Sequence, residues 1–144
     1  ILSRKPCVIF AISCDCTGIN AMESAKSLYD IVVVDSQGTE KNFAEALEKE
    51  DAVEVYTKLP RGFYINTPMG HYNPDWAVAF KEGSVKHIYF IAETKGNDWQ
   101  ESQLRGSEDA KIECARRHFA AISDSKVVYG VAKDYQSLYN LVTK

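Results

Sequence analysis

The sequence predicts an α/β domain with a mixed central sheet flanked by helices. Three observations lead to that fold. Segments with helical apolar spacing alternate with short β-branched segments that alternate residue by residue. From residue 39 onward the elements read α-β-β-β-α-β-α, an order that contains the core αβββαβ and suits helices packed on a sheet. No internal repeat or low-complexity segment interrupts the pattern. The 144 residues suit one domain, and a chain of that length can bury roughly 68–70% of its unfolded surface in one core.

The elements follow in order. Residues 1–27 form a poorly legible N-terminal extension, in which 8–12 read as a short strand and 15–20 as a loop. Residues 21–30 read as a helix running into the β-branched stretch 31–34. Gln37-Gly38-Thr39 breaks the pattern. "EKNFAEALEKE", residues 40–50, places Phe43, Ala44, Ala46 and Leu47 on one face, with Thr39 as its expected N-cap. Residues 52–58 alternate as a strand, and Pro60-Arg61-Gly62 turns the chain. Residues 63–66 are a short extended piece, and "TPMGHYNP" reads as an irregular loop. Residues 76–81 and 85–95 are strands separated by Glu82-Gly83-Ser84. The polar stretch 96–107 reads as a loop. Residues 108–123 form a helix with Ile112, Ala115, Phe119 and Ile122 on one stripe, 126–132 a buried-type strand, and 134–142 a final helix.

Composition narrows the function classes. Hydrophobic residues make up 45% and charged residues 26%, the balance of an ordinary globular protein. No stretch approaches the roughly 18 apolar residues of a membrane helix. Arg4-Lys5 ahead of residues 7–12 faintly resembles a signal peptide, but that apolar run is too short. The chain lacks an initiator methionine and is expected to be a processed product or a piece of something longer. The net charge of −3 supplies no bulk field for polyanions, so nucleic-acid binding would need a local basic patch. Lys58, Arg61, Lys81, Lys86, Lys95, Lys111, Arg116 and Arg117 are its candidates; solvated surface charge is the plainer reading. Cys14-x-Cys16 does not have the usual structural-zinc spacing and has no histidine nearby. Cys7, Cys14, Cys16 and Cys114 are therefore expected to be free thiols of a reducing, cytoplasmic setting.

The chemistry concentrates between Tyr72 and Gly96, "YNPDWAVAFKEGSVKHIYFIAETKG". A Pro-Asp pair precedes one apolar run, and a Glu-x-Lys ends the next. An acidic-x-Lys triplet alone is weak, because roughly two are expected by chance in a chain of this composition. Glu93-Thr94-Lys95, Asp109-Ala110-Lys111 and Asp124-Ser125-Lys126 all qualify. Asp109 is expected in the first turn of a helix, where the dipole favours acids, and Asp124 in turn-like company. Only Glu93 ends a long apolar strand, where burying a charge needs a reason.

Hairpin geometry sharpens the point. Pairing Lys81 with Val85 places Trp76 opposite Phe90 and Val78 opposite Ile88, an apolar face. The other face then holds Asp75 opposite Ile91 and diagonal to Glu93, with Lys95 two residues further on. A one-residue slip would destroy both features. Two carboxylates so placed make a hard-oxygen site for Mg²⁺. A neighbouring lysine can orient or help deprotonate the attacking water and stabilise developing phosphate charge. The alternative is a structural salt bridge between Lys95 and Asp75 or Glu93.

The local wording adds a resemblance. "LYDIVVVDS", "EKNFAEALE", "VYTKLPRGFYINTPMGHYNPDWAVAF", "HIYFIAETKG" and "KIECARRHF" resemble the C-terminal nuclease domain of the Res subunit of type III restriction enzymes, within the restriction-endonuclease-like, PD-(D/E)xK superfamily. The likeness covers roughly residues 28–132, and Asn-Pro-Asp-Trp and Glu-Thr-Lys-Gly are its most specific blocks. It implies a nuclease domain over 28–144 with a restriction-endonuclease-like core. It implies Asp75 and Glu93 as ligands of Mg²⁺ (with Mn²⁺ able to substitute) and Lys95 as the catalytic lysine. Glu40 takes the place of the first-helix glutamate, with Glu45 as the fallback because the loop around Gly38-Thr39 departs from the pattern. The implied substrate is double-stranded DNA. The chain has no phosphate loop, so it is expected to be the cleavage module only and to hydrolyse no ATP. The helicase-type motor and the Mod methyltransferase subunit would supply translocation and recognition, and no membrane is involved. The competing function is a noncatalytic DNA-binding or assembly module that keeps the fold.

Other groups rank lower. Cys114 and His118 share a helix face, but a buried thiol beside a surface histidine is the plainer reading. Lys111 and Arg116 are candidate phosphate contacts, and His71 a candidate for the mouth of the site. Trp76 reads as core, and Trp99 as an exposed contact for a partner.

Overall fold

The computed structural model describes residues 20–35, 37–84, 89–94, 105–122 and 127–143. The predicted strand at 8–12, nearly all of the loop at 15–20, Lys86, Lys95, Trp99 and the three N-terminal cysteines lie outside them.

A four-stranded sheet forms the centre. Its strands are β3 (Val53–Lys58), β6 (Trp76–Phe80), β7 (Tyr89–Thr94) and β8 (Val127–Ala132), in the order β3-β6-β7-β8. β3 and β6, and β6 and β7, pair antiparallel, whereas β7 and β8 pair parallel. The parallel pair needs a crossover, which contains helix α2 (Arg105–Ile122). The sheet is therefore mixed and flanked by helices, as the alternation of periods predicts.

One face is covered by α1 (Thr39–Lys49) and α3 (Tyr135–Thr143). α1 buries Phe43, Ala44 and Leu47, positions i, i+1 and i+4, against Val53, Tyr56, Trp76, Val78 and Phe80. Burying a side chain of the Leu or Phe class contributes about 1.5–3 kcal/mol. Leu138 and Val142 of α3 complete that core. The second face packs Ile112, Ala115 and Phe119 of α2 against Tyr129, Ile65 and Tyr72. β6 accordingly alternates between fully and partly buried residues along "WAVAF".

Several elements depart from expectation. Residues 21–30 are not a helix: β1 (Ala21–Glu23) pairs antiparallel with β2 (Ile31–Val33). The helix-prone Ala-Met-Glu-Ser-Ala-Lys run is held open by tertiary partners, since the Glu48 carboxylate accepts from the N–H groups of Ala25 and Lys26. "TPMGHYNP" is not irregular either: β4 (Ile65–Thr67) and β5 (Gly70–Tyr72) form a hairpin on α2. The N-cap of α1 is Gly38 rather than Thr39, and it makes no side-chain cap bond. α2 starts at Arg105, so residues 105–107 are helical and Asp109 lies beyond the first turn.

The hairpin register also differs. Trp76 pairs with Ala92 and Val78 with Phe90, two residues from the expected pairing. A slip of two preserves which face each side chain takes. Among the described residues no helix is long and apolar enough to cross a membrane.

Candidate active site

Four chain segments meet at one end of the sheet. β3 ends there at Lys58, β7 ends at Thr94, β6 begins just after Asp75, and α1 begins with Glu40 in its first turn. The local sequence explains the delivery of Asp75. Pro74 is fully buried and its ring fixes φ, so the chain enters β6 in one direction. The Asn73 amide donates to the carbonyls of Pro60 and Phe63, and Leu59 N–H donates to the Asp75 carbonyl at 2.7 Å.

Asp75 is half-buried. Its Oδ2 accepts from Thr94 N–H at 2.7 Å and from the Thr94 hydroxyl at 2.8 Å. Burial raises the Asp75 carboxyl above its ordinary range; the two Thr94 bonds oppose that, the Glu40 charge adds to it, and the Lys58 charge opposes it. Thr94 also accepts, at 3.4 Å, from the indole N–H of the fully buried Trp76.

Lys58 carries the second half of the cluster. Its ammonium lies 2.6 Å from Glu40 Oε2 and 2.7 Å from Asp35 Oδ2, and 5.9 Å from the centroid of the Trp76 ring. The Lys58 and Glu40 side chains are only 16% and 12% exposed, so the pair is screened little by solvent. Asp35 N–H donates to the same Glu40 oxygen at 2.6 Å. The hydrogen bond from Lys58 holds the Asp35 carboxyl below its usual range; burial opposes it, and the charges of Lys58 and of Arg61, 3.7 Å away, add to the lowering. A cavity of about 460 Å³ opens beside these groups, lined by Tyr29, Ile31, Val33, Lys58, Arg61 and Asp75, among others.

The sequence-predicted residues are placed as follows. Asp75 and Glu40 come near enough for the charge of one to act on the other. Glu93 is placed by its backbone on β7, paired with Val131 of β8. The β6–β7 ladder stops at Trp76↔Ala92, so Asp75 and Glu93 are the next positions on the two strands. The Glu93 side chain, and all of Lys95, lie outside what is described. Glu45, on α1, is half-buried. His71 stands exposed on β5 with its ring 4.2 Å from Tyr64, away from the cavity lining. Arg116 and Arg117 pair with Glu113 at 2.8 and 3.0 Å on the surface of α2. Cys114 is a half-buried free thiol, and the His118 ring packs edge-on to Phe119.

Two contributors escape the sequence reading. Thr94 is the unspecified middle residue of Glu-x-Lys. Lys58 appears there only among eight possible surface cations, although strand parity puts it on the same side as Tyr56, facing Trp76. That parity is the signal that singles it out.

Among the described residues no group of three or more His, Cys, Asp or Glu side chains is arranged to hold a metal. The described part nevertheless fits a hard cation. Asp75 spends Oδ2 on Thr94 and carries charge that burial disfavours; a divalent ion coordinated by oxygen relieves such a group and needs only one or two carboxylates besides water and phosphate.

No curated protein and no solved structure matches the chain. Residues 25–135, which include the whole sheet and every described residue of this cluster, match a family model described as an endonuclease domain. The chain belongs to that family and is a restriction-endonuclease-like domain.

Proposed function

We propose that this chain is a metal-dependent endodeoxyribonuclease, the cleavage module of a type III restriction enzyme, acting on double-stranded DNA. The observation that carries this reading is the convergence of Asp75, Glu40 and the Glu93 position at one end of the sheet, within a chain of the endonuclease-domain family. Asp75 and Glu93 would hold Mg²⁺, with Glu40 as the third carboxylate or the group behind them, and Mn²⁺ would substitute. The bound ion would polarise the scissile phosphate and lower the pKa of a bound water.

The chain's own groups do the rest. Thr94 donates twice to Asp75 Oδ2 and so orients the carboxylate that would hold the ion. Lys95, one residue beyond Thr94, orients the attacking water and stabilises the charge that develops on phosphate. Lys58 and Arg61 line the cavity together with Asp35 and Asp75, so its wall carries both signs of charge. The ATP-driven motor and the Mod methyltransferase subunit are the expected partners for translocation and site recognition.

The test is nicking of supercoiled plasmid by the pure chain with Mg²⁺ or Mn²⁺, beside Lys95→Ala. Metal-dependent nicking lost in Lys95→Ala supports the reading. Equal nicking by both proteins would refute the role of Lys95. A chain that binds DNA and cuts none, even when combined with motor and methyltransferase subunits, would be a noncatalytic module.

A further inference from the structure

Lys58 stands among three carboxylates. Two touch its ammonium, Glu40 at 2.6 Å and Asp35 at 2.7 Å, and the third, Asp75, feels its charge. Its aliphatic stem is held at the end of β3, opposite Trp76, with the ammonium 5.9 Å from the indole ring. A long flexible side chain loses rotamer freedom in such a place. Charge-assisted hydrogen bonds to a nearly buried Glu40 offset that loss. A positive charge therefore sits where like-charged carboxylates crowd, which is also where a divalent ion would be attracted.

We propose that Lys58 is a built-in counter-ion of the cation site: it holds Glu40 toward Asp75 while no divalent ion is bound, and competes with that ion for the carboxylates when it enters. The inference rests on the reading that Asp75 and Glu40 belong to a cation site. Arg61 makes the exchange feasible, because Asp35 keeps a cationic neighbour when Lys58 moves. Lys58 acts here through Glu40 and Asp75, so it is a positioning residue.

The consequence is a pair of effects with opposite signs. Removing the ammonium takes from Glu40 and Asp35 the cation that touches both, which destabilises the fold. The same change removes a competitor and leaves the site more negative, which tightens cation binding. A residue with a merely structural role would weaken both when replaced.

The experiment is calorimetric titration of the full chain with Mn²⁺ alone, without DNA, for the native protein, Lys58→Met and Asp75→Asn. Methionine keeps much of the stem over Trp76 and removes the charge. Urea unfolding of Lys58→Met, Glu40→Gln and the double variant accompanies it. Lys58→Met is expected to bind Mn²⁺ roughly tenfold more tightly, the scale of one unit charge removed from a partly solvated cluster. Asp75→Asn is expected to lose binding, and the two stability losses are expected to be non-additive. Equal or weaker Mn²⁺ binding by Lys58→Met, with binding still lost in Asp75→Asn, overturns the counter-ion role and leaves the cation site standing. Additive stability losses overturn it as well. Binding that survives Asp75→Asn, or that is absent in both the native protein and Lys58→Met, overturns the cation-site reading and this inference together. Lys58→Gln serves the same comparison if Lys58→Met fails to fold.

Discussion

Thr94 donates twice to one oxygen of Asp75, through its backbone N–H at 2.7 Å and its hydroxyl at 2.8 Å. The two residues belong to neighbouring strand ends, so the ladder that pairs β6 with β7 also sets the Asp75 rotamer. Thr94→Val keeps the backbone bond, removes the hydroxyl bond, and leaves the buried Trp76 indole without that acceptor. The expected cost is about 1–3 kcal/mol in urea unfolding. Plasmid nicking should fall in Thr94→Val and persist in Thr94→Ser, which keeps the hydroxyl.

Glu40, rather than Glu45, bears on Asp75. Glu40 is bonded to Lys58 and its charge acts on Asp75. Glu40→Gln is therefore expected to lower nicking at least tenfold, the scale of roughly 1.4 kcal/mol in transition-state stabilisation. Glu45→Gln is expected to leave the rate within about twofold. The reverse pattern in the same plasmid assay would reassign the helix carboxylate.

Glu48 gives the fold an acid-sensitive anchor. Burial alone would raise its carboxyl, but the Ser24 hydroxyl, Ala25 N–H, Tyr56 hydroxyl and Lys26 N–H together hold it below its ordinary value of 4.5. A carboxylate whose folded pKa is depressed stabilises the fold above the unfolded pKa. That contribution is lost as pH falls below 4.5 through the lower folded value. Urea midpoints between about pH 3 and 7 should show a shallower acid limb for Glu48→Gln. At neutral pH the variant should be about 1 kcal/mol less stable, a modest figure because the carboxylate is partly solvated. Tyr56, whose hydroxyl is pushed up to about 12 by burial, with the Ser24 bond opposing and Glu48 adding to the rise, stays neutral throughout that range.

Gly70 turns the β4–β5 hairpin with φ +103°. An added Cβ would meet nothing within 4 Å, so the cost of Gly70→Ala is in the backbone alone. About 1–2 kcal/mol of destabilisation is expected, read as a lowered thermal midpoint.

Legibility differed element by element. Phe43, Ala44 and Leu47 mark α1 because helical spacing and burial coincide there. The alternation of Trp76, Val78 and Phe80 marks β6 for the same reason with a period of two. The β1–β2 hairpin was hidden because its local helix propensity yields to Glu48, a partner on another element. The β4–β5 hairpin was hidden because three-residue strands carry too little pattern to register.

The sequence by itself determined the α/β alternation, the pairing of β6 with β7, and the parity that keeps Trp76 and Val78 on the apolar side. It singled out Asp75, Glu93, Lys95 and Glu40 by motif and resemblance. It did not determine the hairpin register, because pairings two residues apart bury the same face equally well. Tertiary structure decided that register, with β3 and β8 flanking the hairpin on its two sides. It also decided that Thr94 holds Asp75 and that Lys58 joins Glu40 to Asp35. Those contacts span residues 18 to 23 positions apart, and separations of that kind leave no periodic trace along the chain.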